Sequence, residues 1–339
     1  MPKKNIHQLL HGYRHGHELL ASSLKLNKQQ SDLVRRLSDL SGMLPEKFQV
    51  SPYYCGYALP DSEYYVFAKT WLDEDATRAG CVLTHSLLVP VEQWLGFAPE
   101  AVTTLFRKPS NDYAEYRTPL SLKESDSYLD IDSTSFDESS VNDFLSKYFV
   151  QGVKPIVWMD APNVDQFCWR LIRSLWPELR KKFGFCTLSL QPRNESEGTF
   201  DVYFAPITVL SRFQKLKREN VIGKTQSKDL PAWLVAWKAY LLNETPLSDD
   251  EMQLLRLLSS DPCDLGKIFL YSELLDRAED SPSALLGALD VLESIGPESS
   301  TCLVQKEMVV SKAVDVFSSV SLSDAGEALS LFALLDTRL

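Results

Sequence analysis

Four of the five histidines of this 339-residue chain fall close together near its start: His7, His11, His15 and His17. All four have odd numbers, so an unbroken strand would aim them at one face. Neutral imidazole binds metal ions and protonated imidazole attracts anions, which makes a metal or phosphate site one interpretation. Structural histidines that are solvated or hydrogen-bonded are a second interpretation. A metal-free ligand site is the third.

Two glycines interrupt this stretch. Gly12 and Gly16 disfavour a long helix, at roughly 1 kcal/mol each, and suit a turn or the close approach of a ligand to the backbone. The string His17-Glu18-Leu19-Leu20 opens like the zinc motif HExxH, but Ala21 stands where the second histidine belongs. We therefore expect no metal and no other cofactor.

The fifth histidine, His85, lies in a strand pattern and shares its face with apolar residues, namely Cys81, Leu83, Leu87 and Val89. A buried imidazole needs partners for both nitrogens. A structural role, with a carbonyl or carboxylate as partner, is one interpretation. A site formed with His11 or His17 across the sheet is the other. Ser86 points to the opposite face, which argues against a local Ser–His nucleophile.

A second possible site for anions lies further along the chain. Gly223-Lys224-Thr225 resembles the end of a phosphate-binding loop, but Arg218 stands where its first glycine belongs. The surrounding basic run predicts a solvated helix face rather than a nucleic-acid site: Arg212, Lys215, Lys217, Arg218, Lys224 and Lys228. The net charge of −11 also opposes nonspecific binding of nucleic acid.

The elements that would position the histidines belong to a predicted α+β N-terminal domain at residues 1–123. The patterns predict an antiparallel-rich sheet with helices. In chain order they are a helix at 31–44, a hairpin of Tyr53–Leu59 and Tyr64–Trp71, a strand at Cys81–Val89 and a helix at 91–106.

The rest of the chain divides into three parts. The segment 124–143 holds seven acidic residues and no Lys or Arg, which predicts a linker or a long surface loop. A mixed α/β middle domain is predicted at 144–212, with a helix interrupted at Pro177 and paired strands around residues 194–198. Residues 213–339 are predicted to be helical, with short helices that start near 249, 262, 282, 301 and 324. The fold class is therefore α+β.

The cellular compartment is indicated by the cysteines and by the apolar stretches. Six cysteines are scattered without a CxxC pair, which is typical of reduced core residues in the cytosol. The first residues lack the apolar run of a signal peptide. The longest apolar stretch, residues 81–91, is too short and too polar to span a bilayer. We expect a cytoplasmic protein without a membrane segment.

Four motifs in the N-terminal quarter resemble, in order, those of a known family. They are His11-Gly12-Tyr13-Arg14-His15-Gly16-His17-Glu18-Leu19-Leu20-Ala21-Ser22-Ser23, then residues 37–42, then Thr70-Trp71, then residues 78–90. The family is the type-1 N-terminal domain of bacterial GTPase-associated protein 1. Its members are encoded beside GTPases in predicted conflict systems that are taken to act against phages. Residues 175–187 are similar to the middle domain of that family.

The resemblance has two implications for this chain. Seven residues match signature positions of the family: His11, Gly12, Gly16, His17, Asp39, Arg78 and His85. Family members are larger, which implies a short member of the family or a fragment of a longer protein.

Three hypotheses about function follow. The first is a non-enzymatic adaptor or sensor that binds a GTPase or an effector encoded nearby. The second is an enzyme or ligand-binding protein, with His17, His85 and Asp39 as catalytic candidates. Its ligand contacts would come from His11, Gly12, Gly16, His17, Arg78 and His85. The third is a nucleic-acid binder that uses residues 212–228, which the net charge opposes. The lack of a complete catalytic motif favours the first.

Overall fold

The computed structural model describes residues 5–46, 48–76, 78, 80–107, 113–122, 135–193, 200–222, 229–296, 298, 300–318 and 333. The fold is α+β, as the sequence predicted. The chain forms two compact units. One comprises Met1–Tyr148 and Val153–Asp229, and the other comprises Phe149–Gly152 and Leu230–Leu339. Among the described helices, none has the length and apolar character needed to cross a membrane.

The first unit is built on one mixed sheet. Its described strands are β1 His7–Tyr13, β2 His17–Ser22, β3 Tyr53–Ala58, β4 Tyr64–Leu72, β5 Val82–Pro90, β6 Ile156–Met159, β7 Phe185–Cys186, β8 Val202–Ala205 and β9 Val221–Ile222. They lie in the order β2-β1-β5-β4-β3-β7-β8-β6-β9. In this spatial order, every pair of neighbouring strands from β2 across to β7 is antiparallel, and every pair from β7 across to β9 is parallel.

Six described α-helices accompany this sheet. They are α1 Lys28–Leu37, α2 Val91–Gly96, α3 Pro99–Thr103, α4 Glu138–Leu145, α5 Val164–Ser174 and α6 Pro177–Lys182. The predicted helix at 91–106 is divided between α2 and α3, because Pro99 cannot continue a helix and begins the next one. Pro177 likewise separates α5 from α6, as the sequence predicted.

Helix α1 packs on the sheet beside the hairpin formed by β1 and β2. Asn27 and Gln30 form a capping box at its start. Its face of Leu33, Val34 and Leu37 is buried in the main core. The sequence predicted a helix at 31–44, but α1 ends at Leu37. In the last backbone hydrogen bond of the helix, the Ser38 amide donates to the Val34 carbonyl. The chain then turns along residues 39–44.

The predicted hairpin and third strand are confirmed. Strands β3 and β4 pair with Tyr57 opposite Val66, and β5 pairs with β4 in the same antiparallel sense. The turn between β3 and β4 contains Asp61 with φ +50°, a conformation that Asp tolerates better than most residues.

The sheet is continuous between the parts that the sequence assigned to separate N-terminal and middle domains. Cys55 of β3 lies opposite Cys186 of β7, and Gly56 lies opposite Phe185. The sequence could not indicate this pairing because the two strands are far apart in the chain. Most of the predicted linker lies outside the described residues, and α4 begins at Glu138, inside its range. The proposed domain boundaries stay a prediction.

The strands around residues 194–198 are β7 and β8, and they pair in parallel. Residues 194–199 lie outside the described part of the chain. A parallel pair needs a connection longer than a tight hairpin loop. Residues 187–201 supply that length between the two strands.

The described part of the second unit is helical, as predicted, but the predicted helical range 213–339 also contains strand β9, Val221–Ile222, which belongs to the sheet of the first unit. Its helices are α7 Ala232–Leu241, α8 Asp249–Leu255, α9 Leu265–Arg277, α10 Ala284–Ile295 and α11 Leu303–Ser318. The capping box of Ser248 and Glu251 starts α8. The helix predicted near 262 begins as a single 3-10 turn at Pro262–Asp264 and continues as α9. The helix predicted near 324 lies outside the described residues.

Candidate functional site

The histidine cluster is divided by a turn. His7 and His11 lie on β1, His15 is exposed in the turn, and His17 begins β2. Strands β1 and β2 pair with Tyr13 opposite His17, and the register shifts after Leu10. This hairpin replaces the single strand that would have aimed all four histidines at one face.

The rings of His11 and His17 stack. Their centroids are 6.0 Å apart and their planes differ by 16°. His11 is only 3% exposed. Burial lowers the pKa of His11 to about 3, and the positive charges of His17 and Arg35 act in the same direction. The ring is therefore neutral at physiological pH, and its Nδ1 has no hydrogen-bond partner among the described residues.

His17 is hydrogen-bonded to the end of α1. Its Nε2 lies 2.8 Å from the Ser38 hydroxyl oxygen, and its Nδ1 lies 3.8 Å from a carboxylate oxygen of Asp39. Burial lowers the pKa of His17, the charge of Asp39 opposes that shift, and Arg35 and Arg193 reinforce it.

The set Ser38–His17–Asp39 has the residue types of a hydrolase triad, but its proton arrangement is different. The Ser38 hydroxyl donates its hydrogen to the carbonyl of Arg35 at 2.9 Å. His17 Nε2 must therefore donate to Ser38, whereas a general base would accept the serine proton there. Ser38 is also only 1% exposed. These contacts brace the end of α1 and do not activate a nucleophile.

Residues from the chain that follows β7 form hydrogen bonds with residues 37–41 at the end of α1. The guanidinium of Arg193 donates to the carbonyls of Leu37 and Asp39. The Leu190 amide donates to the Ser41 hydroxyl at 2.6 Å. Ser38, Ser41 and Arg193 were not among the residues predicted from the sequence. Ser38 and Ser41 lie in the motif of residues 37–42, but no motif or spacing in the sequence indicates Arg193.

Four of the predicted site residues meet at one cleft of about 510 Å³, which we call the His17 cleft. Gly16 and His17 come from the first hairpin, Asp39 from the segment after α1, and Arg78 from the turn before β5. Gly80, with φ +80°, lets that turn adopt a left-handed backbone. An added Cβ on Gly16 would meet no atom within 4 Å, so its backbone is open.

His85 does not belong to this cleft. It lies opposite Leu10 in the pairing of β1 with β5, whereas His11 lies opposite Thr84. Because neighbouring residues in a strand point to opposite faces, His85 and His11 are on opposite sides of the sheet. The prediction that His85 faces a pocket shared with His17 is corrected on this geometry.

The surroundings of His85 are those of a structural histidine. Its Nε2 lies 2.9 Å from the Gln8 side-chain oxygen, and its Nδ1 accepts from the Arg107 amide at 3.4 Å. The ring is fully buried, with Phe106 and Tyr116 against it edge to face. Burial lowers the pKa of His85 to about 3, and the charge of Arg107 adds to this shift.

Gly12 also has a packing role. A Cβ built on Gly12 would lie 2.6 Å from a Leu83 carbon and 2.8 Å from a Leu20 carbon. Both neighbours are apolar side chains, so the glycine makes room for the side chains of this face rather than for a ligand.

A metal site was one interpretation of the histidines. Within the described residues, no three His, Cys, Asp or Glu side chains lie close enough together to hold a metal ion. The expectation of a metal-free protein stays a prediction, and elemental analysis of the purified protein tests it.

Comparison with known protein families gives a match in the N-terminal part of the chain. Residues 5–106 match the family model for GTPase-associated protein 1, N-terminal domain type 1. This confirms the resemblance predicted from the four motifs, and the range includes every residue of the His17 cleft. The similarity of residues 175–187 to the middle domain stays a prediction. No curated protein and no solved structure matches the chain.

Proposed function

We propose that the protein is a cytoplasmic adaptor or sensor of a bacterial conflict system, one that defends against phages. It acts by binding a GTPase, or an effector, encoded nearby. The match of residues 5–106 to a GTPase-associated domain carries this proposal. The proton arrangement at Ser38 and His17 supports it, because these side chains brace the fold instead of activating a nucleophile.

The His17 cleft is the proposed docking surface for the GTPase. Met43 lies at the cleft with 83% of its surface exposed, and Arg78 is exposed beside it. The Met43 carbonyl accepts a bond from Arg212, so the backbone is held while the side chain faces solvent. Methionine and arginine are both enriched at protein interfaces.

A direct binding measurement tests this proposal. The purified chain is titrated with the GTPase encoded by the neighbouring gene, and the Kd is compared for Met43→Ala, Arg78→Glu and the native sequence. Loss of an interface anchor costs more than about 1 kcal/mol, so we expect about tenfold weaker binding in either variant. Leu270→Ala is the matched control, because Leu270 is 45% exposed on α9 of the other unit. Native affinity in both cleft variants would refute the docking surface.

A ligand-binding protein, or an enzyme, with a histidine-lined N-terminal site is the second candidate function. The unpartnered Nδ1 of buried His11 favours this candidate. The rings of His11 and His17 are in contact, whereas His85 belongs to the opposite face of the sheet.

A further inference from the structure

A groove of about 590 Å³ lies between α1, the β1–β2 hairpin and the chain that joins them. Its apolar wall includes Leu9, Leu19, Leu24, Leu26 and Val34. His11 is the most buried polar residue that lines it. The groove thus has an apolar wall with a buried imidazole at one point, and its other lining residues are polar or charged.

The Nδ1 of His11 has no partner among the described residues, and the residue is 97% buried. Buried polar atoms in native proteins are normally hydrogen-bonded, and an exception calls for an explanation such as an absent ligand or a functional role. His11 lines the groove, so a molecule bound there would lie beside this imidazole and is our candidate for the missing partner.

The charges around the groove favour an anion. Lys25 and Arg35 line it, and Asp32 is the one carboxylate among its lining residues in the described chain. Asp32 lies 3.8 Å from the Arg35 guanidinium, in a pair with both side chains more than half exposed. The Arg35 guanidinium acts on His11 as a positive charge, whereas burial lowers the pKa of His17. A negative group beside His11 would experience a net attraction.

We propose that this groove binds a small amphiphile with one carboxylate or phosphate group. Its oxyanion contacts His11 and Arg35, and its apolar part packs against Leu19, Leu24 and Leu26. Leu19 is 46% exposed without a ligand, so binding would bury apolar surface as well as satisfy the imidazole. This inference rests on the second candidate function and is independent of GTPase binding.

Binding would also change the protonation of His11. An adjacent anion stabilises the imidazolium, so the pKa of His11 rises in the complex. By linkage, the affinity increases as the pH falls through the range where the complex takes up a proton. The titratable and charged groups around His11 are His17, whose ring stacks on it, and Lys25, Asp32 and Arg35, which line the same groove.

The test uses the protein alone with three probes: hexanoate, hexyl phosphate and inorganic phosphate. Binding is followed by the melting temperature and by the imidazole ¹⁵N signals of His11. We expect at least one of the two amphiphiles to raise the melting temperature and shift the His11 signals, and the stronger one identifies the head group. Inorganic phosphate should bind more weakly because it lacks the apolar part.

Three variants make the result specific. His11→Leu and Arg35→Gln should each weaken binding by about tenfold or more. Arg36→Gln should bind as the native protein does, because Arg36 lines a neighbouring groove on the same helix. His11→Leu should melt no lower than the native protein, since it removes an unsatisfied polar group. If His11→Leu does not fold, the exposed Arg35 side chain still provides the test.

Two results would overturn the inference. One is the absence of any melting or ¹⁵N response to both amphiphiles at millimolar concentration. The other is binding that is equally strong in His11→Leu and Arg35→Gln, or equally strong for inorganic phosphate and hexyl phosphate. Neither result bears on the GTPase measurement, so the two proposals fail separately.

Discussion

The rings of His11 and His17 stack with their centroids 6.0 Å apart, and His17 is hydrogen-bonded to Ser38, the residue that caps the end of α1. His17 donates to Ser38, whereas Nδ1 of His11 is unpartnered among the described residues. His17 therefore joins the hairpin to the end of α1, and His11 is a buried imidazole with an unsatisfied nitrogen that lines a groove.

The first prediction concerns this anchoring bond. His17→Ala leaves the Ser38 hydroxyl without its donor and should lower the free energy of unfolding by about 1 kcal/mol. His15→Ala is the control, because His15 is exposed in the turn and should change stability by less than about 0.5 kcal/mol. Urea denaturation of both variants measures the difference. Equal stabilities would show that the bond to Ser38 does not support the fold.

The second prediction is the pH dependence of stability. Burial lowers the pKa values of His11 and His85 to about 3, whereas the ordinary pKa of histidine is near 6.5. Between pH 6.5 and pH 3 the unfolded chain therefore binds more protons at these two residues than the folded protein does. Stability should therefore be full above that pH and be lost as the pH falls from 6.5 towards 3. Each histidine contributes a slope of about 1.4 kcal/mol per pH unit.

Replacing one of these histidines should reduce that slope. His85→Gln is less stable at pH 7, because Gln8 and the Arg107 amide lose a fitted partner. Its stability should nevertheless fall less steeply between pH 6 and 4, by about 1.4 kcal/mol per unit. Urea titrations across this pH range give both values. An unchanged slope would mean that His85 is already charged in the folded protein.

The third prediction tests how the two halves of the sheet are joined. The Thr187 amide donates a hydrogen bond to the Tyr54 carbonyl. Because hydrogen-bonded and non-hydrogen-bonded pairs alternate along antiparallel strands, the next pair, Cys55 and Cys186, is a non-hydrogen-bonded pair. Such residues have Cα atoms about 4.5 Å apart, within the range of a disulfide. Burial raises the pKa of Cys186, but the hydrogen bond with the Cys55 side chain and the positive charge of Arg193 outweigh this effect and lower the pKa to about 7.

Oxidation should therefore join these two thiols. Diamide, a two-electron oxidant, accepts the two electrons and two protons that the thiols release, and the Sγ atoms form one disulfide. Peptide mapping should identify the Cys55–Cys186 link in the native protein and in Cys263→Ser. It should be missing in Cys55→Ala. A link formed only by other cysteines would contradict the β3–β7 pairing.

The fourth prediction concerns the acidic segment 124–143, which the sequence predicts to be a linker or a long surface loop. Limited proteolysis should cut there first. Because β3 pairs with β7 on the far side of this segment, the two pieces should stay together on gel filtration and separate only in denaturant. Early release of a folded N-terminal piece would show that residues 1–123 form a domain of their own.

Local patterns were the part of the fold that the sequence could predict. The hairpin of β3 and β4 follows from two aromatic runs and the turn residues 60–63, and α8 follows from the Ser248 capping box. Contacts between distant segments could not be predicted. Alternation places Leu83 and His85 on one face, but only the register with β1 decides whether that face is shared with His11.

The candidate site shows the same limit. Gly16, His17, Asp39 and Arg78 were identified from motifs, and the structure brings them to one cleft. Arg193, which fixes the backbone of Leu37 and Asp39, comes from more than 150 residues further along the chain. No spacing rule connects residues that meet only after the sheet has formed.

The docking of a GTPase at the His17 cleft is tested most directly by hydrogen exchange. Backbone amides are compared with and without the GTPase encoded by the neighbouring gene. The proposal predicts slower exchange at Tyr13–His17 and at residues 39–44, because both segments line the cleft. Exchange in α9 should stay unchanged. Protection confined to other segments, or no protection in a complex of measured affinity, would contradict the assignment of this cleft as the GTPase-binding surface.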